Sequence, residues 1–128
     1  MTEIRTERLV GALGCQLPVS SGEWVLRQTG ASEQFIRALR RLASDQGLLL
    51  RDLYGEALSD FLRHRDVVKR KREVVEYLAS PQRPKVVNVR LTADLTQAVD
   101  QAAEADDVSS ARLIYTALVR YARERGYG

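Results

Sequence analysis

Apolar residues recur along this chain with two different periods. Phe35, Leu39 and Leu42 fall at the i, i+4, i+7 spacing of an amphipathic helix, which Ser32 caps and Gly47 ends. Leu50, Leu53, Ala57, Leu58 and Phe61 form a second helical stripe, predicting a helix from near Leu49. Between residues 85 and 92 the period changes. In KVVNVRLT, Val87, Val89 and Leu91 share one parity while Val86, Asn88 and Arg90 share the other, the alternation of a half-buried strand. Thr92 then caps a helix carrying Leu95, Val99 and Ala102, ADDVSS makes a turn, and a last helix from about Ser109 carries Leu113, Ile114, Ala117, Leu118 and Tyr121 before Gly126.

EWVLRQT, residues 23 to 29, is rich in strand formers and precedes the first helix pair, so strand, helix, helix is read twice. The two copies align without a gap at an offset of sixty residues, which superposes Ser32 on Thr92 and both apolar stripes, with Leu53 on Leu113 and Leu58 on Leu118. The organisation expected is an N-terminal arm (1–22), a first repeat (23–64), a connecting helix and linker (65–84) and a second repeat (85–128). Val67, Val68, Val74, Val75 and Leu78 set the connecting helix at 66–79, stopped by Pro81 and Pro84. A lone strand cannot satisfy its own backbone, and half the chain has too little core, so the two strands are expected to pair antiparallel above the four helices. The fold class is thus mainly α with a two-stranded antiparallel β-ribbon.

Lys85 to Gly126 resembles a ribbon-helix-helix DNA-binding unit of the Arc and MetJ repressor type. The likeness lies in the alternating strand with Asn88, Val89 and Arg90, the cap at Thr92, the polar turn before Ser109 and the Leu113-Ile114-Tyr115 triplet. The first repeat is similar only through its helices and its register. Two such units in one chain resemble the tandem pseudodimers of TraY-type conjugation accessory proteins. The resemblance implies a ribbon in the major groove, reading bases through Val86, Asn88 and Arg90, with phosphate held at the second-helix N-termini by Ser109 and Ser110, by Leu49, Leu50 and Arg51, and by Lys85. It also implies double-stranded DNA as partner, self-association of pseudodimers on DNA, and a relaxase or partition partner.

Which face of the first strand looks outward is the open point. Gapless alignment turns Arg27 and Thr29 inward and exposes Leu26 and Gln28, which is costly for an unpaired guanidinium. A slip of one residue near Gly30 reverses the faces, sending Trp24 and Leu26 inward and Val25, Arg27 and Thr29 to the groove. The slipped register is preferred here, with Gln28 kept as a lesser base-reading candidate. Either way the strands carry different side chains, so an asymmetric half-site is expected.

Composition adds exclusions. The 128 residues are 45% hydrophobic and 29% charged, an ordinary globular balance with a mild net charge of +3. One cysteine, Cys15, excludes an internal disulfide and a cysteine-built zinc site, and the start MTEIRTERLV has no apolar run, so a cytoplasmic protein without a membrane segment is expected. His64 stands alone, and Asp106 with Asp107 reads as a pair of solvated turn acids, so no catalytic residues, metal or cofactor are expected. RHRDVVKRKR, residues 63 to 72, reads as a solvated helix face, with phosphate contact as its functional alternative. The rival to DNA binding is a helical protein-interaction module, antitoxin-like or an assembly adaptor.

Overall fold

A computed structural model describes residues 24–127; the expected arm and Cys15 lie outside them. The elements run β1 (Trp24–Ala31), α1 (Glu33–Asp45), α2 (Leu50–Arg70), β2 (Lys85–Thr92), α3 (Ala93–Ala105) and α4 (Ser110–Glu124). β1 and β2 pair antiparallel along their whole length, with Gln28 opposite Asn88 at the centre. The fold is therefore mainly helical with one two-stranded ribbon.

Local chemistry sets the boundaries. Ser32, Thr92 and Ser109 cap α1, α3 and α4, each side-chain oxygen accepting from the backbone N–H three residues on. α1 closes at Gly47, whose φ of 67° is left-handed, and Leu48 N–H donates back to the Ala43 carbonyl at 2.9 Å. α3 closes the same way with Asp107 at φ 59° and Val108 N–H on the Ala103 carbonyl.

The core lies between the ribbon and the helices. Val87, Val89 and Leu91 come from β2; Leu39 and Leu42 from α1; Leu53, Leu58 and Phe61 from α2; Val99 from α3; and Leu113, Ile114, Leu118 and Tyr121 from α4. Leu118, Leu58, Leu113 and Leu53 are each 0% exposed. α2 and α4 thus cross beneath the strands and meet each other.

The connecting helix expected over 66–79 is not there. α2 itself continues through Val67 and Val68 to Arg70, because nothing in residues 63 to 66 breaks the helix. Arg72 ends it with φ 60°, and Glu73 N–H donates to the Val68 carbonyl at 3.0 Å. Residues 73 to 84 then form a strap without helix or strand. Arg112 Nε and Nη2 donate to the carbonyls of Leu78 (2.9 Å) and Tyr77 (3.1 Å), and Leu78 N–H donates to Thr116 Oγ1 at 3.0 Å. These bonds tie the strap to α4 instead of to itself.

Asp106 departs from the solvated turn acid expected, although Asp107 beside it is exposed. Its side chain is 5% exposed and accepts from Arg65 Nε at 2.7 Å and Nη2 at 3.1 Å, from Lys69 Nζ and from the Tyr77 hydroxyl. The Arg65 hydrogen bonds above all hold this carboxyl well below the usual carboxylate range. Part of the basic run is therefore structural: Arg65 and Lys69 fasten the end of α2 to the α3–α4 turn, while Arg70, Lys71 and Arg72 remain exposed. His64 is half-buried, its ring 6.4 Å from that of Phe61.

Candidate nucleic-acid interface

The outer face of the ribbon is built by parity. Trp24, Leu26 and Gln28 on β1 are exposed, as are Val86, Asn88 and Arg90 on β2. Pairing puts Leu26 opposite Arg90, Gln28 opposite Asn88 and Gly30 opposite Val86. At the centre Gln28 Nε2 donates to Asn88 Oδ1 at 3.1 Å, leaving the Gln28 oxygen and the Asn88 amide nitrogen for an external partner. Leu26 at 49% and Val86 at 67% exposure open two aliphatic side chains to solvent on this face. Arg90 is exposed and has no ion pair among the described residues.

This overturns the preferred slipped register. Val25, Arg27 and Thr29 point toward the helices, and Trp24 and Leu26 point outward, because β1 runs to Ala31 and into the Ser32 cap with no extra residue near Gly30. The burial penalty that argued against this arrangement does not arise. Arg27 reaches sideways to Asp100 on α3, Nη2 to Oδ2 at 2.7 Å, and its side chain stays 36% exposed. Ser110 also donates to Asp100, at 2.9 Å, and these contacts, Arg27 first, hold that carboxyl below its ordinary range. Thr29, 6% exposed, satisfies its hydroxyl by donating to the Ala111 carbonyl at 2.7 Å.

Gly30 occupies an outward position for a steric reason. A Cβ there would lie 2.6 Å from Pro84 Cβ, so the strap can enter β2 along this end only over a glycine. One end of the face consequently offers Gly30, Pro84 and Val86, and the other offers Leu26, Arg90 and Trp24.

Trp24 is not in the core; it is 40% exposed, with the Arg51 guanidinium 4.9 Å above its ring centre. Arg51 lies in the first turn of α2, whose Ncap is Leu49, 61% exposed and without a capping side chain. The amides of Leu50 and Arg51 have no acceptor among the described residues. At α4 the corresponding turn is capped by Ser109, while Ser110 turns its hydroxyl to Asp100. Lys85, exposed at the start of β2, completes the expected phosphate-holding set. The first turn of α2, with N–H groups that have no acceptor among the described residues and Arg51 beside them, has the electrostatics that suit an anion, whereas at α4 the Asp100 carboxylate already takes the Ser110 hydroxyl.

Signals elsewhere are few. Among the described residues no group of three or more His, Cys, Asp or Glu is placed to hold a metal, and no helix is long and apolar enough to cross a membrane. Set against known family models, curated proteins and solved structures, the chain matches none.

Proposed function

We propose that this protein is a sequence-specific double-stranded DNA-binding protein that reads the major groove with its ribbon, as a single-chain tandem of two ribbon-helix-helix units. The observation that carries this reading is the exposed ribbon face itself, an amide pair at its centre flanked by a guanidinium and two open aliphatic residues. Such a ribbon fits the roughly 12 Å width of the major groove.

The tandem reading is supported by the recurrence of positions sixty residues apart, the separation of the central Gln28 and Asn88. Helix starts at Glu33 and Leu50 recur at Ala93 and Ser110, and left-handed residues at Gly47 and Asp107. Buried Leu39, Ala43, Leu53, Ala57 and Leu58 recur as buried Val99, Ala103, Leu113, Ala117 and Leu118.

In this reading Asn88 and Gln28 meet adenine through their free amide groups, Arg90 takes guanine N7 and O6, and Val86 and Leu26 touch thymine methyls. Arg27, Val25 and Thr29 support the ribbon from beneath. Lys85 and the backbone amides after Leu49 and Ser109, with Arg51 nearby, meet phosphates on the two flanks. Because Arg90 stands opposite Leu26 at one end and Val86 opposite Gly30 at the other, the preferred site has no dyad. The protein is a binder and not an enzyme, and its biological setting is transcriptional regulation or plasmid and conjugation work with a relaxase or partition partner, in the cytoplasm.

Selection of bound duplexes from random DNA, followed by titration at low and moderate salt, tests this. A single enriched non-palindromic site whose affinity falls steeply with salt is expected. No enrichment, with association to a protein partner that is insensitive to salt, would favour the interaction module instead.

A further inference from the structure

The two ends of the ribbon's outer face differ in chemistry. At one end Arg90 brings a guanidinium beside Leu26; at the other, Gly30 stands opposite Val86. Gly30 has no side chain, and Pro84 of the strap fills the space where one would stand, 2.6 Å from the position of a Cβ. Gly30, Pro84 and Val86 are the apolar walls of a notch of about 260 Å³, and Val86 is 67% exposed at its rim.

The polar side chains that border the notch are committed elsewhere. Gln28 leans to the centre of the face, its amide nitrogen donating to Asn88 at 3.1 Å. The Thr29 hydroxyl donates to the Ala111 carbonyl at 2.7 Å. Lys85 has the parity of Val87, not of Val86, and serves phosphate in the reading above. The three walls themselves carry no side-chain donor or acceptor. Such a surface cannot tell one hydrogen-bond pattern of base edges from another, but it gains by covering an apolar group. The major groove offers one: the C5-methyl of a pyrimidine, which thymine carries and which 5-methylcytosine carries equally.

We propose that the Gly30 end of the ribbon reads a pyrimidine C5-methyl group and nothing else, so that thymine and 5-methylcytosine are equivalent there. This rests on the DNA-binding reading above and deepens it. The amide pair and Arg90 select donors and acceptors, whereas the notch makes binding sensitive to cytosine methylation at one position of the site. The strap takes part in recognition, because Pro84 closes the notch over Gly30.

The duplex enriched by selection supplies the probe. Each thymine in turn is replaced by deoxyuridine, by cytosine and by 5-methylcytosine, and the full chain is titrated with every duplex. At one position, removing the methyl from thymine should weaken binding about three- to fivefold, the effect of burying about one methyl group. There cytosine should bind like uracil, and 5-methylcytosine like thymine, within about twofold. Val86→Ala, at an exposed site, should level the four bases while keeping the requirement for Arg90. A methyl effect below about 1.5-fold at every position, one that Val86→Ala leaves unchanged, or uracil bound better than 5-methylcytosine would each overturn the proposal. An enriched duplex that needs Arg90 but shows no such methyl effect means that this inference alone has failed; with no enriched duplex, the DNA-binding reading fails and takes the inference with it.

Discussion

Replacing Asp106 by asparagine removes one negative charge from the most enclosed polar cluster among the described residues. The side chain is 5% exposed and receives the Arg65 guanidinium through two hydrogen bonds, with Lys69 and the Tyr77 hydroxyl on the same carboxylate. Breaking a buried pair by neutralising one partner costs about 3 to 5 kcal/mol when the other charge stays trapped. Arg65 is 13% exposed and is trapped, whereas Lys69 at 43% can turn to water, so the expected loss is about 2 to 4 kcal/mol. For a domain of this size that corresponds to a fall in melting temperature of roughly 8 to 16 °C. Asp107→Asn is the control, being exposed and in a left-handed conformation that asparagine adopts readily; it should change stability by less than about 0.5 kcal/mol. Thermal and urea unfolding followed by circular dichroism measure both. An Asp106→Asn loss no larger than that of Asp107→Asn would refute the assignment of Asp106 as the clasp between α2, the strap and the α3–α4 turn.

The same carboxylates make stability depend on acid. Asp106 and Asp100 have folded-state pKa values below their unfolded values of about 3.9, so their contribution is complete above roughly pH 5 and is lost as pH falls through the folded values. Urea midpoints of the wild type should thus drop below about pH 4, and the gap to Asp106→Asn should narrow there; a gap constant with pH would contradict this. Leu118→Ala, at a position 0% exposed beneath the ribbon, should cost about 2 to 5 kcal/mol in urea unfolding, and an unchanged midpoint would contradict it. Arg90→Ala should weaken binding to the selected duplex by about 1 to 3 kcal/mol at unchanged fold, measured by titration. Arg27→Ala should weaken it less than Arg90→Ala does, and the opposite order would contradict base reading by the Gln28, Asn88 and Arg90 face.

Much of the fold was legible because its determinants are local. The helical stripes, the caps at Ser32, Thr92 and Ser109 and the chain reversals at Gly47 and Asp107 each depend on residues within one or two turns. The orientation of β1 was not, since it turns on whether Arg27 finds an acceptor, and Asp100 lies 73 positions away. An acid on the exposed-to-rim boundary of α3 carries no periodic signal that would mark it as that partner. The strap escaped for a similar reason: Val74, Val75 and Leu78 have helical spacing, but Arg112 and Thr116 offer the strap backbone bonds that no pattern within 73–84 reveals. Asp106 read as a turn acid because its burial comes from Arg65, 41 positions earlier. On β2, by contrast, alternation alone put Val86, Asn88 and Arg90 on the outer face, and the structure places them there.

Nuclear magnetic resonance of the nitrogen-bearing side chains tests the central claim most directly. Adding the selected duplex should shift the side-chain amide signals of Gln28 and Asn88 and the Nε–H of Arg90, while the Nε–H of Arg27, held beneath the ribbon beside Asp100, stays where it was. Shifts at Arg27 with Asn88 and Arg90 unmoved, or shifts confined to the helices away from the ribbon, would contradict it.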